Sequence, residues 1–140
     1  MSVESFLDTN LFVYQLTAED EAKSKIAEKL IRKGIRTGRS CISFQVVQEC
    51  LNVIARHAET ALTAEQAKRY LDTSLKPLWR IYPSAPLYQR ALDIQALHRF
   101  SFYDSLIIAA AQEAGCKILY SEDLQHGQQI DSLTIQNPFL

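Results

Sequence analysis

Ser101-Phe102-Tyr103-Asp104-Ser105-Leu106-Ile107-Ile108-Ala109-Ala110-Ala111 is the stretch that decides how this chain is built. From Leu106 to Ala111 every side chain is apolar, so a helix here has no polar face to turn toward water. Other elements must wrap it on nearly all sides. Asp104 stands just ahead of that run, where a lone carboxylate is costly to desolvate unless a cation or hydrogen-bond donors meet it. Ser101 and Asp104 also have the spacing of a capping box, and an acid in the first turn suits the helix dipole. Capping accounts for Asp104 taken singly. The other acids of the chain give it a second reading.

Outward from this helix the elements alternate. Downstream, Gly115 stops the helix, Lys117 to Tyr120 reads as a strand, and Leu133 to Ile135 as a short last one. Upstream, Ser84 and Pro86 open a helix running to about His98, with Ala91, Leu92, Ile94 and Leu97 expected inward. Trp79 to Tyr82 is a strand, preceded by a charge-rich helix from Thr63 to about Leu75 that Pro77 ends. Ser43 is a plausible cap for a helix to about His57, with Val46, Cys50, Val53, Ile54 and His57 on one stripe. Before it come a strand at Arg39 to Ile42 and an amphipathic helix from Asp20 to about Arg36. Ile26, Ala27, Leu30 and Ile31 form the inner face of that helix, and Gly34 and Gly38 loosen its end. The chain begins with a strand over residues 3–8, then a short helical turn over residues 10–16. Strands alternating with helices imply parallel pairing through right-handed crossovers. The expected fold is therefore an α/β three-layer sandwich, a short central parallel sheet flanked by helices, and all 140 residues form one domain.

Composition narrows the function classes. With 47% hydrophobic and 22% charged residues and no low-complexity segment, the chain reads as globular. Cys41, Cys50 and Cys116 are three in number and widely spaced, which suits buried free thiols rather than disulfides or a zinc site. No basic segment followed by an apolar core opens the sequence, and no run approaches the roughly 20 apolar residues that span a bilayer. A soluble cytoplasmic protein without membrane association is expected. The net charge of −1 is neutral evidence on nucleic acid, because Lys23, Lys25, Lys29, Arg32, Lys33, Arg36 and Arg39 cluster despite it. They form either a solvated helix face or, with Arg99, a grip on phosphates.

In open parallel sheets, ligands sit outside the carboxyl ends of the strands. Asp8 ends the first strand and Asp123 closely follows the fourth, so parallel pairing brings both to one edge. Asp104 starts the helix that leads into that fourth strand, which places it at the same edge. Glu49 flanks the inward stripe of its helix, an unusual position for a surface acid. Taken singly, Asp8 and Asp123 suit turns or caps, and Glu49 a boundary site. Together they would repel one another and raise one another's pKa, a conflict that a hard divalent cation with oxygen ligands resolves.

The segments Phe6-Leu7-Asp8-Thr9-Asn10, Gln48-Glu49, Phe102-Tyr103-Asp104-Ser105-Leu106-Ile107 and Leu119-Tyr120-Ser121-Glu122-Asp123-Leu124 together resemble a PIN-domain nuclease. Within that superfamily they most resemble VapC-type toxins of toxin–antitoxin pairs. The resemblance spans nearly the whole chain, and it is the order and spacing of the motifs that carries it. It implies a metal-dependent ribonuclease with Asp8 and Asp104 as main ligands of Mg²⁺ or Mn²⁺. Glu49 and Asp123 would complete the catalytic and metal site, supported by Thr9, Asn10 and Ser121. Glu122 adjoins Asp123 and can share its role, and His126 lies near enough in sequence to reach metal or substrate. The resemblance further implies an RNA substrate, a homodimer and a small antitoxin partner that plugs the acidic pocket. Leu11, Phe12, Tyr14 and Leu16 suit either the lining of its groove or ordinary core.

Two other readings use the same acids. An aspartate-nucleophile phosphohydrolase needs a second Asp two residues after the first, and that position holds Asn10. A receiver-like domain needs an acceptor Asp closing a central strand and a later Lys, and neither is evident. A catalytically inactive PIN-like domain that binds RNA or protein is the non-enzymatic alternative.

Overall fold

The structure, a computed structural model, describes residues 2–17, 19–56 and 62–140. Its order is β1 (Ser5–Leu7), α1 (Thr9–Leu16), α2 (Glu21–Thr37), β2 (Ser40–Ser43), α3 (Phe44–Arg56), α4 (Ala64–Tyr70), β3 (Trp79–Ile81), α5 (Ala85–His98), α6 (Phe102–Glu113), β4 (Ile118–Tyr120), β5 (Gln129–Ile130) and β6 (Leu133–Gln136). A π-helical turn, Leu71–Leu75, continues α4. The strands lie in the order β3-β2-β1-β4-β6-β5, all parallel except the β5–β6 pair. Among the described residues six helices flank this sheet, so it is the expected α/β sandwich with one antiparallel edge strand added. β5 is only two residues long and carries no alternating pattern that sequence could show.

The chain runs from β1 outward to β2 and β3, then returns to place β4 on the other side of β1. That reversal makes the β1/β4 boundary the switch point of the sheet. Helix α1 packs on α2 and α3, whereas α5 packs on α6. Right-handed crossovers set these groups on opposite faces. Phe6, Leu7, Leu11, Phe12, Ile31, Ile42, Leu87, Ile108 and Leu119 are fully buried between the layers. Leu11 and Phe12 are therefore core, not groove lining. Every residue from Ser105 to Ala111 is buried, as the apolar run of α6 requires.

Local chemistry sets the helix ends. Asp20 caps α2, its side chain accepting from the Lys23 amide at 3.1 Å, and Gly38 closes it at φ 70°, where a Cβ would be strained. Gly34 does not loosen α2. It is buried, and a Cβ there would lie 2.7 Å from Ser40 Cβ, so it lets the helix press on β2. Thr63 forms a capping box with Gln66 at the start of α4. Ser43 ends β2 without capping α3, and its buried hydroxyl has no partner. His57, expected on the α3 stripe, lies outside the described residues.

Two inner faces differ from expectation. Leu92 and Leu97 of α5 are 54% and 77% exposed, while Leu87 is buried with Ala91 and Ile94. On α2, Ile26 is exposed, and Ala27 and Ile31 carry the contact. Cys41, Cys50 and Cys116 are free and buried, as expected of hydrophobic thiols. No helix of the described residues is long and apolar enough to cross a membrane.

Candidate active site

The register of β1 against β4 builds the site. Leu7 pairs with Tyr120, and the Asp8 amide donates to the Tyr120 carbonyl at 3.0 Å. Asp8 and Ser121 thus emerge side by side at the switch point. Asp8 is 8% exposed. Its Oδ1 caps α1 by accepting from the Thr9 amide at 2.7 Å, and its Oδ2 accepts from the Ser121 hydroxyl at 2.8 Å. Ser121 Oγ in turn accepts from the Asp123 amide at 3.2 Å. Thr9 works in the other direction, its hydroxyl donating to Glu49 Oε1 at 3.1 Å. Two small hydroxyl residues therefore join three of the acidic segments.

The acids also act on one another as charges. Burial pushes the Asp8 carboxyl up from the ordinary 3.8 to about 6; the bonds from Ser121 and Thr9 pull against this, and the charges of Glu49 and Asp123 add to it. Glu49 is also raised, first by burial and then by the charges of Asp104 and Asp123, with the Thr9 hydrogen bond opposing. So Asp8, Glu49, Asp104 and Asp123, from four separate segments, share one field at the carboxyl edge. All the neighbouring charges named for Asp8 and Glu49 are negative. Asp8 is buried, Asp104 half-buried, and Glu49 and Asp123 exposed, which gives an open rim rather than an enclosed pocket.

An all-oxygen donor set with excess negative charge has the chemistry of a hard divalent ion site. Among the described residues, no three acidic, histidine or cysteine side chains are already arranged to hold one ion. The donors fit such an ion by type and charge, with Glu49 and Asp123 on the exposed side of the rim. Asn10, next to this cluster in sequence, has both amide atoms buried without a partner.

Other candidates separate from the rim. Glu122 turns toward α1 and α2, accepting from Tyr14 Oη at 2.6 Å and pairing with Lys23. Burial works against its ionisation, but the bonds from Lys23 and Tyr14 win and hold its pKa below the usual value. Lys23 Nζ also lies over the rings of Tyr14 and Phe139, 5.1 and 5.5 Å from their centroids. Glu122 is therefore a clamp on the loop that carries Ser121 and Asp123. His126 Nδ1 accepts from the Asn137 amide at 3.0 Å, which is a structural use. Of the basic cluster, Lys23, Lys25, Arg32 and Arg39 pair with Glu122, Glu21, Glu28 and Glu4, so most of its charge is answered within the protein. Arg99 ends α5 in the left-handed conformation at φ 61°. Gln45 was not legible as functional; its signal is a spacing of four residues before Glu49, which puts the two on one helix face.

The signature of the PIN domain family matches residues 5–128, most of the chain, and the protein belongs to that family. Its fold is that of VapC toxins. It superposes on VapC20 of Mycobacterium tuberculosis, described as a sarcin-ricin loop cleaving toxin, with TM-score 0.61 and 20% identity over 86% of this chain and 90% of that one. The DNA-bound VapBC of Salmonella typhimurium gives TM-score 0.68 at 18% identity, covering 97% and 98%. FitAcB of Neisseria gonorrhoeae gives 0.62 at 20% identity, covering 96% and 98%. No curated protein matches the chain in sequence.

Proposed function

We propose that this protein is a divalent-metal-dependent endoribonuclease, the toxin of a toxin–antitoxin pair, working as one nuclease domain in the cytoplasm. The observation that carries the reading is Asp8: a buried carboxylate at the switch point, pushed to about 6 by burial and by acids from two other segments. Membership of the PIN family supports nuclease chemistry. The likeness to VapBC and FitAcB supports an antitoxin partner; a homodimeric toxin is part of the same proposal.

In this reading Asp8 and Asp104 hold Mg²⁺ or Mn²⁺, with Glu49 and Asp123 completing the site. Held there, a divalent ion would supply Lewis acidity toward a phosphate oxygen and acidity to a water. Ser121 and the Thr9 amide fix both oxygens of Asp8, so its direction is set before substrate arrives. Thr9 limits the swing of Glu49 through Oε1. Ser121 anchors the Asp123 backbone. The open rim suits a polymer, whose phosphates can slide across it. Incubating single-stranded RNA with the protein and Mn²⁺ tests the reading. Cleavage is expected, and Asp8→Asn and Asp104→Asn are expected to abolish it while remaining folded. Cleavage at the wild-type rate by either variant would refute the site.

A further inference from the structure

One buried polar side chain has no place in that scheme. Gln45 is 5% exposed, on the first turn of α3, a degree of burial uncommon for glutamine. Its Nε2 donates to the main-chain carbonyl of Tyr103 at 3.2 Å, one residue before Asp104. Gln45 also stands one helical turn before Glu49, on the same face of α3. Oε1, by contrast, is buried and has no partner. An apolar residue of the same shape would avoid that penalty, so stability does not account for a glutamine here.

We infer that Gln45 is a positioning residue, a strut from α3 to the first turn of α6 that sets the separation of Glu49 and Asp104. This rests on the reading of the acids as a cation site for RNA cleavage. Glu49 is long and exposed, and Thr9 restrains it from one side only. Gln45 instead fixes the helix that carries Glu49 against the first turn of α6. Because the other end of the strut is a backbone carbonyl, it registers the α6 main chain rather than a mobile side chain. Without it, ion binding would have to order the two acids at its own cost, which lowers affinity.

The test compares wild type with Gln45→Met and Gln45→Leu. It uses calorimetric Mn²⁺ titration, melting with metal chelated, and steady-state cleavage of a single-stranded RNA. Both variants should bind Mn²⁺ and turn over roughly tenfold more poorly, as loss of an outer-shell contact does. KM for RNA should hold, and the metal-free Tm should stay level or rise. A fall in metal-free Tm would make Gln45 a structural tie and overturn the inference. So would Mn²⁺ affinity and kcat equal to wild type in both variants while the wild type itself binds and cleaves. A wild type that neither binds Mn²⁺ nor cleaves would instead remove the underlying nuclease reading, and the strut with it.

Discussion

Asp8→Asn should make the protein inactive and more stable at the same time. The rise of Asp8 from 3.8 to about 6 means that the folded state resists its ionisation. Below the unfolded pKa the carboxyl is neutral in both states, and the site costs nothing. As pH rises through 3.8 the unfolded chain ionises first, so folding stability falls until the folded group ionises near 6, and is level above it. At roughly 1.4 kcal/mol per pH unit, the loss is about 3 kcal/mol at neutral pH. Asparagine keeps the Oδ1 acceptor for the Thr9 amide and carries no charge, so it should recover most of that loss. For a chain of this size this amounts to roughly 6–12 °C in Tm. The assay is urea unfolding of both proteins with metal chelated, in steps from pH 3.5 to 7.5. The stability gap in favour of Asp8→Asn should open between pH 3.8 and 6 and then stay constant. A variant less stable than wild type at pH 7.5, or a gap that does not change with pH, would refute the account of a strained, uncompensated carboxylate.

Other residues give separable outcomes. Ser121→Ala removes the donor to Asp8 and the acceptor for the Asp123 amide, and should cost roughly 1–3 kcal/mol at pH 7.5 by urea unfolding, together with most of the cleavage rate. Gly34→Ala gains helix propensity but drives a Cβ into Ser40; overpacking of about 1–3 kcal/mol should win, giving a lower urea midpoint with activity retained per folded molecule. Lys23→Met frees Glu122 from its clamp; amide exchange at Ser121 and Asp123 should quicken and kcat fall, while α6 keeps its protection. Unchanged exchange there would mean that the loop holds itself.

Much of this was legible because a few residues punctuate the chain unambiguously. Asp8 closes a β-run and opens a helix, Ser101 and Ser84 sit at caps, and the apolar run of α6 has only one place in a sandwich. The same logic assigns Asp8, Asp104 and Asp123 to one edge, since parallel register and helix direction fix edges without side-chain detail, whereas Glu49 stands out only by flanking the inward stripe of its helix. What sequence did not settle depends on packing partners. Glu122 and Asp123 are neighbours in the chain, and only the approach of Lys23 and Tyr14 turns Glu122 away from the rim. Leu92 and Leu97 fit an inward helical period as well as Leu87 does, yet the line of α5 on α6 buries Leu87. Gln45 looks like any polar residue until its burial and its bond to Tyr103 are seen. The π-helical turn at Leu71–Leu75 and the two-residue β5 leave no periodic trace at all.

The central claim is that Asp8, Glu49, Asp104 and Asp123 gather one divalent cation for RNA cleavage. Crystals soaked in Mn²⁺ and measured for anomalous scattering test it most directly. The account predicts a peak bonded to carboxylate oxygens of Asp8 and Asp104, lost in Asp8→Asn. Strong peaks elsewhere on a cleavage-competent protein, with none at these side chains, would contradict it.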